Sequence, residues 1–135
     1  MPLSGGCTCG AVRYDCDADP VFAVNCHCRD CQRATGSAYA AILIVPRTAV
    51  KVTGELRSFR TTGEAGSTVD RSFCGACGNP ILSTLERIPN IVGLAAGSLD
   101  DPAIFKPAMD IFTESAQAWD HMHPDVPKRP RGTQG

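Results

Sequence analysis

The sequence predicts a small, mainly β domain with antiparallel strands. Short segments rich in β-branched and aromatic side chains recur along the chain, and glycine-containing turns separate several of them. The length of 135 residues fits one domain, and because only 6% of the residues are aromatic, Val, Ile, Leu and Ala must fill the core. These observations favour one β core over two separate domains.

Eight segments have the composition and length of strands. In chain order they are 11–15, 21–25, 38–45, 50–53, 56–60, 68–73, 80–85 and 91–95. Thr53-Gly54-Glu55 joins the fourth and fifth segments, and Thr62 to Gly66 precedes the sixth, so both are typical of hairpin connections. Strands joined by such short turns are expected to pair antiparallel.

Two further segments, 29–35 and 114–120, have helical character. The first stops just before Gly36, and Thr113 or Ser115 is a suitable cap for the second. Because both are short, we expect only one or two helical turns.

The C-terminal segment differs in composition from the rest of the chain. Residues 124–135 include three prolines and almost no apolar side chains, which cannot offset the entropy lost on ordering. The sequence therefore predicts a single domain over residues 1–123 followed by a disordered tail over 124–135.

Charge and hydropathy give no reason to expect nucleic acid or a membrane as a partner. The formal net charge is -1, from 13 basic and 14 acidic residues. The N-terminal residues contain no basic and apolar export signal, and no apolar run approaches the roughly 18 residues of a membrane span. A cytoplasmic protein is the expectation, and its oligomeric state stays open.

The cysteines are the most informative residues. Seven of the eight lie in three clusters with the spacings C-x-C, C-x-C-x-x-C and C-x-x-C. The clusters are Cys7 and Cys9; Cys26, Cys28 and Cys31; and Cys74 and Cys77. Because cytosolic thiols stay reduced, this pattern favours metal binding over disulfides.

Seven clustered thiols divide into four and three. A structural zinc takes four ligands, which the outer clusters supply if Cys7 and Cys9 join Cys74 and Cys77. Gly75 and Gly78 are compatible with the tight backbone turn of such a site. The middle cluster then forms a three-thiolate site with an open fourth position, typical of a reactive zinc.

Other candidate ligands are weaker. In an extended segment the side chain of His27 points away from its cysteine neighbours, which disfavours ligation by His27 without excluding it. His121 and His123 are expected to be solvated or to lie outside the ligand shell, and Cys16 is expected to be a thiol without a role.

The three-thiolate site favours thiol chemistry over hydrolysis. Three thiolates leave a zinc site with a negative charge, which weakens its Lewis acidity, whereas a coordinated thiol is deprotonated outright. Arg29 and Arg33 lie beside the cluster, four residues apart on a predicted helical turn, where they could stabilise a bound thiolate or grip a carboxylate. Two solvated surface arginines are the alternative.

The order and spacing of the clusters resemble the glutathione-dependent formaldehyde-activating enzyme (GFA) family. The resemblance spans Leu3 to Trp119 and is carried by the segments 6–14, 26–37, 73–78 and 95–102 together with Trp119. It implies several coiled antiparallel β-sheets, a structural zinc on the four outer cysteines, and a second zinc on Cys26, Cys28 and Cys31.

The resemblance also implies an activity. The family is named for the condensation of formaldehyde with glutathione to S-(hydroxymethyl)glutathione, a reaction classed with the carbon–sulfur lyases. The inferred mechanism is attack of a zinc-held glutathione thiolate on the aldehyde carbon, with Cys26, Cys28 and Cys31 as the catalytic cluster. Family membership specifies the scaffold better than the substrate.

Two alternatives stay open. A non-catalytic zinc-binding module or glutathione carrier would share the same motifs, and a fourth protein ligand on the second metal would support it. An iron site of rubredoxin type on the four outer cysteines is compatible with thiolate ligands, and a colourless protein would dismiss it.

Overall fold

The computed structural model describes residues 3–63 and 66–132. Within them the strands are β1 Leu3–Gly6, β2 Arg13–Cys16, β3 Phe22–Cys26, β4 Ala40–Pro46, β5 Val50–Thr53, β6 Leu56–Thr62, β7 Thr68–Cys74, β8 Pro80–Leu85, β9 Ile88–Ala95 and β10 Met109–Ile111. The α-helix is α1, Arg29–Thr35, and the 3-10 turns are Arg47–Ala49, Ala96–Ser98, Pro102–Ile104 and Thr113–Ser115.

The strands form two sheets. One has the order β1-β2-β5, and the larger one has the order β10-β3-β4-β9-β8-β7-β6. All named pairs are antiparallel except β10 with β3, which is parallel. The predicted mainly β, antiparallel architecture is therefore confirmed, with one parallel pair added at an edge.

The eight predicted strand segments overlap β2 to β9. β1 and β10 are not among the predicted segments, for different reasons. β1 reads Leu-Ser-Gly-Gly, and glycine is depleted in strands, while β10 is only three residues long. Both depend on their neighbours: β1 pairs with β2, and β10 lies against β3.

The main hydrophobic core lies between the two sheets. The smaller sheet contributes Leu3 and Tyr14, and the larger sheet contributes Leu43, Ile81 and Leu94, all less than one-tenth exposed. Each such aliphatic side chain contributes about 1.5–3 kcal/mol of burial free energy. Packing between the sheets thus holds the loop after β1 beside the turn between β7 and β8.

A second, smaller core lies on the opposite face of the larger sheet. Ala23 belongs to the main core, whereas the next residue, Val24, packs in the second core, since successive strand side chains point to opposite faces. Three cysteines share this second core with Ile111 and Phe112. The middle cysteine cluster is therefore part of a packed interior.

The close approach of β1 to β2 depends on Gly5. It pairs with Tyr14, and the Tyr14 hydroxyl lies 2.7 Å from the Ser98 hydroxyl oxygen. A Cβ atom at Gly5 would collide with the Tyr14 hydroxyl and the backbone oxygen of Ser98. Only glycine fits here without displacing the loop that follows β9.

Replacing Gly5 with Ala is expected to lower the free energy of unfolding by about 1–3 kcal/mol, because the added methyl overpacks this junction. Urea unfolding followed by circular dichroism measures the change. Gly97→Ala is the matched control, since a Cβ there meets no atom within 4 Å. An unfolding midpoint for Gly5→Ala equal to that of the wild type would contradict the packing argument.

One of the two predicted helices forms, and a short 3-10 turn takes the place of the other. α1 covers the predicted segment 29–35 and ends at Gly36, which has a φ of 70° and donates its N–H to the Gln32 carbonyl oxygen. The segment 114–120 was predicted to be helical, but only Thr113–Ser115 forms a 3-10 turn. The chain leaves that turn in extended conformation at Ala116, which directs the following residues back toward β3.

The described part of the tail, residues 124–132, is hydrogen-bonded to the rest of the chain. The backbone N–H of Asp110 donates to the Pro127 carbonyl at 2.8 Å, and the N–H of Phe112 donates to the Arg131 carbonyl at 2.7 Å. The prediction of disorder is therefore wrong for these residues, while 133–135 lie outside the described part. The composition of the tail does not indicate this order, because backbone hydrogen bonds to β10 hold the tail and need no apolar side chains.

Within the described ranges, no helix is both long and apolar enough to cross a bilayer.

Candidate metal centres and the adjoining cleft

The four outer cysteines meet at one point. Cys7 follows β1, Cys74 ends β7, and Cys77 lies in the turn before β8. Their sulfur atoms and that of Cys9 all lie within 4.8 Å of one another. The cluster joins two parts of the chain that are far apart in sequence.

The sulfur positions fit a tetrahedral ion. Four sulfurs each about 2.3 Å from zinc lie about 3.8 Å apart at the corners of a tetrahedron. The Cys7 and Cys9 sulfurs are 3.5 Å apart, and those of Cys9 and Cys74 are 3.7 Å apart. This donor set is therefore suited to a closed zinc site.

Backbone amides favour thiolates in this cluster. The N–H of Val12 donates to the Cys7 sulfur at 3.3 Å, and the N–H groups of Ala76 and Cys77 donate to the Cys74 sulfur at 3.4 Å each. The bond from Val12 is the main cause that lowers the pKa of Cys7 to about 6. Metal binding requires deprotonated cysteines, so this loop geometry favours it.

The middle cluster is built where a strand ends and a helix begins. Cys26 ends β3, Cys28 is the N-cap of α1, and Cys31 lies in the first turn. Their three sulfur atoms also lie within 4.8 Å of one another. The residues are only 6%, 6% and 4% exposed, so any substrate must reach them through a neighbouring opening.

Crowding of the three sulfurs limits their charge. Hydrogen bonds from Cys26 and then Cys31 lower the pKa of Cys28 to about 2, while hydrogen bonding with Cys28 raises the pKa of Cys26 to about 12. Three thiolates at this spacing repel one another, and a cation among them would compensate. A soft divalent ion such as zinc suits this donor set.

A cleft of about 1060 Å³ opens beside both clusters. Cys7 lines it on one side, and residues of α1, β7 and β8 line it elsewhere. Three arginines, Arg13, Arg33 and Arg71, contribute to its walls. Arg13 is paired with Asp100, but no carboxylate of the described residues is ion-paired with Arg33 or Arg71.

Arg71 links the cleft to the middle cluster. One of its guanidinium nitrogens, Nη2, lies 3.9 Å from the Cys31 sulfur. Its charge also contributes to the low pKa of Cys28, after the hydrogen bonds from the other two cysteines. A positive group therefore lies where the cleft approaches the buried sulfurs.

The sequence model of the family described as glutathione-dependent formaldehyde-activating enzyme matches residues 2–115. The chain belongs to this family. The resemblance inferred from the cysteine motifs is thus confirmed, and the GFA family is named for glutathione-dependent activation of formaldehyde.

Comparison with solved structures supports the fold. The crystal structure of a Rhodobacter sphaeroides protein is similar, with a TM-score of 0.56 and 23% sequence identity over 72% of this GFA chain and 87% of that chain. None of the curated proteins matches the chain.

The two arginines predicted beside the middle cluster have different surroundings in this GFA protein. Arg33 lines the cleft, whereas Arg29 is not among the lining residues and donates to the Gln32 side-chain oxygen. The i, i+4 spacing alone did not reveal this difference. Of these two arginines, Arg33 is the one that lines the cleft.

The histidines do not join either sulfur cluster among the described residues. Both ring nitrogens of His27 are bonded to carboxylates, at 2.6 Å to Asp120 and 2.9 Å to Asp110. His121 and His123 are exposed, and the His123 ring accepts the N–H of Asp125. Cys16 is buried and directed at the Ala18 carbonyl, away from both clusters.

Arg71, Asp110 and Asp120 are not among the site residues that the sequence predicts. The one available signal was a charged residue, Arg71, in the centre of a predicted strand. Nothing in the sequence near Asp110 or Asp120 indicates that they meet His27, which is more than 80 residues away.

Proposed function

We propose that this chain is a zinc-dependent enzyme of the carbon–sulfur lyase type that acts on glutathione or a similar thiol. The proposed chemistry resembles that of S-(hydroxymethyl)glutathione synthase, in which a thiol and an aldehyde form an adduct. The observation that carries the proposal is the contact of Arg71 with Cys31, since it connects an arginine-lined cleft with three clustered sulfurs.

Two zinc ions per chain are part of the proposal. Cys7, Cys9, Cys74 and Cys77 would hold the structural ion, and Cys26, Cys28 and Cys31 would hold the second one. The second zinc, when bound, would keep a substrate thiol deprotonated at neutral pH. We also propose a cytoplasmic location, where reduced cysteines persist as metal ligands.

The chain's own residues would bind and orient the thiol substrate. Glutathione carries two carboxylates, and Arg33 on the cleft wall forms no ion pair with a carboxylate of the described residues. Arg71 would stabilise negative charge on sulfur before the bond forms. The sulfur electron pair then forms the bond to the aldehyde carbon, the carbonyl electron pair moves to oxygen, and that oxygen takes up a proton.

A second candidate function is a glutathione carrier or a non-catalytic zinc-binding module. The burial of all three middle cysteines favours it, because a structural zinc site is normally closed to solvent. A carrier would bind glutathione without accelerating adduct formation. The two candidates therefore differ in whether the protein accelerates the formation of the thiol–aldehyde adduct.

The test is the rate at which formaldehyde, glutathione and their adduct interconvert at equilibrium, measured by NMR exchange against the uncatalysed rate. Arg71→Met is expected to lower kcat/KM about tenfold or more, because a cation about 4 Å from a sulfur contributes up to about 4 kcal/mol at a partly exposed site. Arg71→Lys should restore part of the loss. A thiol without carboxylates, 2-mercaptoethanol, should show the same dependence on Arg71 if this side chain acts on the sulfur.

Arg60→Met is the matched control for Arg71→Met. Arg60 lies on the neighbouring strand β6, is paired with Asp70, and does not line the cleft. Its replacement should leave the exchange rate unchanged. Exchange no faster than the uncatalysed rate in the wild-type protein would overturn the enzyme proposal and favour the carrier.

A further inference from the structure

His27 is a buried polar residue that the proposed chemistry does not use. Its side chain is 0% exposed and lies between Cys26 and Cys28 in sequence. The Nδ1 atom is 2.6 Å from a carboxylate oxygen of Asp120, and Nε2 is 2.9 Å from a carboxylate oxygen of Asp110. Both ring nitrogens are therefore occupied by contacts with carboxylates.

The His27 ring is held at both ends. A carboxylate oxygen lies within hydrogen-bond distance of each ring nitrogen, so the ring cannot turn without losing both contacts. Asp110 also accepts from Lys128 Nζ at 3.0 Å and from Asn25 at 3.2 Å. A buried network of this kind is rigid because breaking any bond leaves a buried polar group without its partner.

The backbone around His27 is held from the same direction. The N–H of His27 donates to the Ile111 carbonyl at 2.9 Å. The Gln32 side-chain amide donates to the His27 carbonyl at 2.7 Å and to the Ser115 carbonyl at 3.0 Å. The C-terminal part of the chain thus contacts the cysteine loop at its start and through α1.

We propose that His27 is a positioning residue for the three-cysteine site and that the side chains of Asp110, Asp120 and Lys128 form a brace for its loop. Side chains alternate along an extended segment, so holding His27 on one face directs Cys26 and Cys28 to the other. Asp120 and Lys128 lie beyond residues 2–115, which the family model matches. This inference rests on the proposed function, because the brace is proposed to orient cysteines that would ligate the second zinc.

Cobalt(II) titration of the full-length protein tests the brace. The sulfur-to-cobalt absorption band measures the affinity of each cluster by chelator competition, and Cys28→Ser identifies the signal of the three-cysteine site. Asp120→Asn and His27→Gln are expected to weaken that site by about 10- to 100-fold, the usual effect of losing a group that orients metal ligands. The four-cysteine site should keep its affinity.

Glu114→Gln is the matched control, since it makes the same carboxylate-to-amide change in an exposed ion pair with Arg131. It should leave both cobalt affinities unchanged. Wild-type affinity in Asp120→Asn and His27→Gln would overturn the proposal. Equal weakening of both sites would also overturn it, because that pattern indicates a general loss of stability.

Hydrogen exchange separates this inference from the proposed function. If the wild-type protein binds only one cobalt ion, the two-zinc proposal fails, but the brace is still measurable. Asp120→Asn should then accelerate amide exchange in residues 26–32 and leave residues 74–77 unaffected. Unchanged exchange in residues 26–32 would contradict the brace.

Discussion

Replacement of Cys74 by Ser is expected to abolish cooperative folding. Cys74 ends β7, is 1% exposed, and accepts two backbone N–H groups at its sulfur. It also lies 3.7 Å from the Cys9 sulfur, so it joins the turn before β8 to the loop after β1. Loss of this thiolate removes a ligand from the proposed structural zinc.

The expected effect is large because of the size of metal-binding free energies. Structural zinc sites contribute about 10–16 kcal/mol of apparent binding free energy. A whole domain is stable by only about 5–15 kcal/mol. We therefore expect no cooperative thermal transition in Cys74→Ser, measured by circular dichroism, and the same result when a strong chelator removes zinc from the wild-type protein.

Cys16→Ser is the control for this experiment. Cys16 is equally buried, at 1%, but lies outside both sulfur clusters. A serine there keeps a donor for the Ala18 carbonyl, so the melting temperature should change little. A cooperative transition in Cys74→Ser near the wild-type temperature would show that the four-cysteine cluster is not structural.

Replacement of Cys28 by Ser is expected to abolish thiol-dependent activity while the fold survives. The exchange rate of formaldehyde with glutathione should fall to the uncatalysed rate, and the zinc content should fall by one ion per chain. Serine retains the helix cap, because its hydroxyl oxygen can accept the Cys31 N–H that the Cys28 sulfur now accepts at 3.3 Å. The N-terminus of α1 therefore keeps its hydrogen bond.

Three measurements on the Cys28→Ser protein check this expectation: the NMR exchange rate, the zinc content and the thermal transition. Loss of the thermal transition would contradict a reactive second site and favour a structural one. Wild-type exchange rates would exclude the middle cluster from the reaction. Cys16→Ser again serves as the control for a cysteine-to-serine change at a buried position.

The cysteine spacing carried most of the information about the site. Cysteines two or three residues apart share a local turn, so their sulfurs are close whatever the rest of the fold does. The division into four and three then predicted which clusters meet, and the structure brings the sulfurs of both groups within 4.8 Å. Local hydrophobic pattern likewise predicted the segments that became β2 to β9.

Apart from the meeting of the cysteine clusters, contacts between distant residues were not predictable in this way. The tail was predicted to be disordered from its prolines, yet backbone hydrogen bonds from residues 127–131 hold it against β10 and the residues after it. Backbone pairing depends on which edge is exposed nearby, and side-chain composition does not report it. The same limit applies to β10, whose three residues are ordered by β3.

The sequence by itself determined the mainly β fold class, the family and the two groups of clustered cysteines, because these are carried by composition, by motif spacing and by the number of cysteines in each motif. Only the tertiary structure decided that Arg71 reaches the middle cluster, that Arg33 rather than Arg29 lines the cleft, and that His27 is held by two carboxylates. These contacts join residues about 40 to 93 positions apart. They depend on sheet order and strand register, which are set by the packing of the whole chain and not by any local segment.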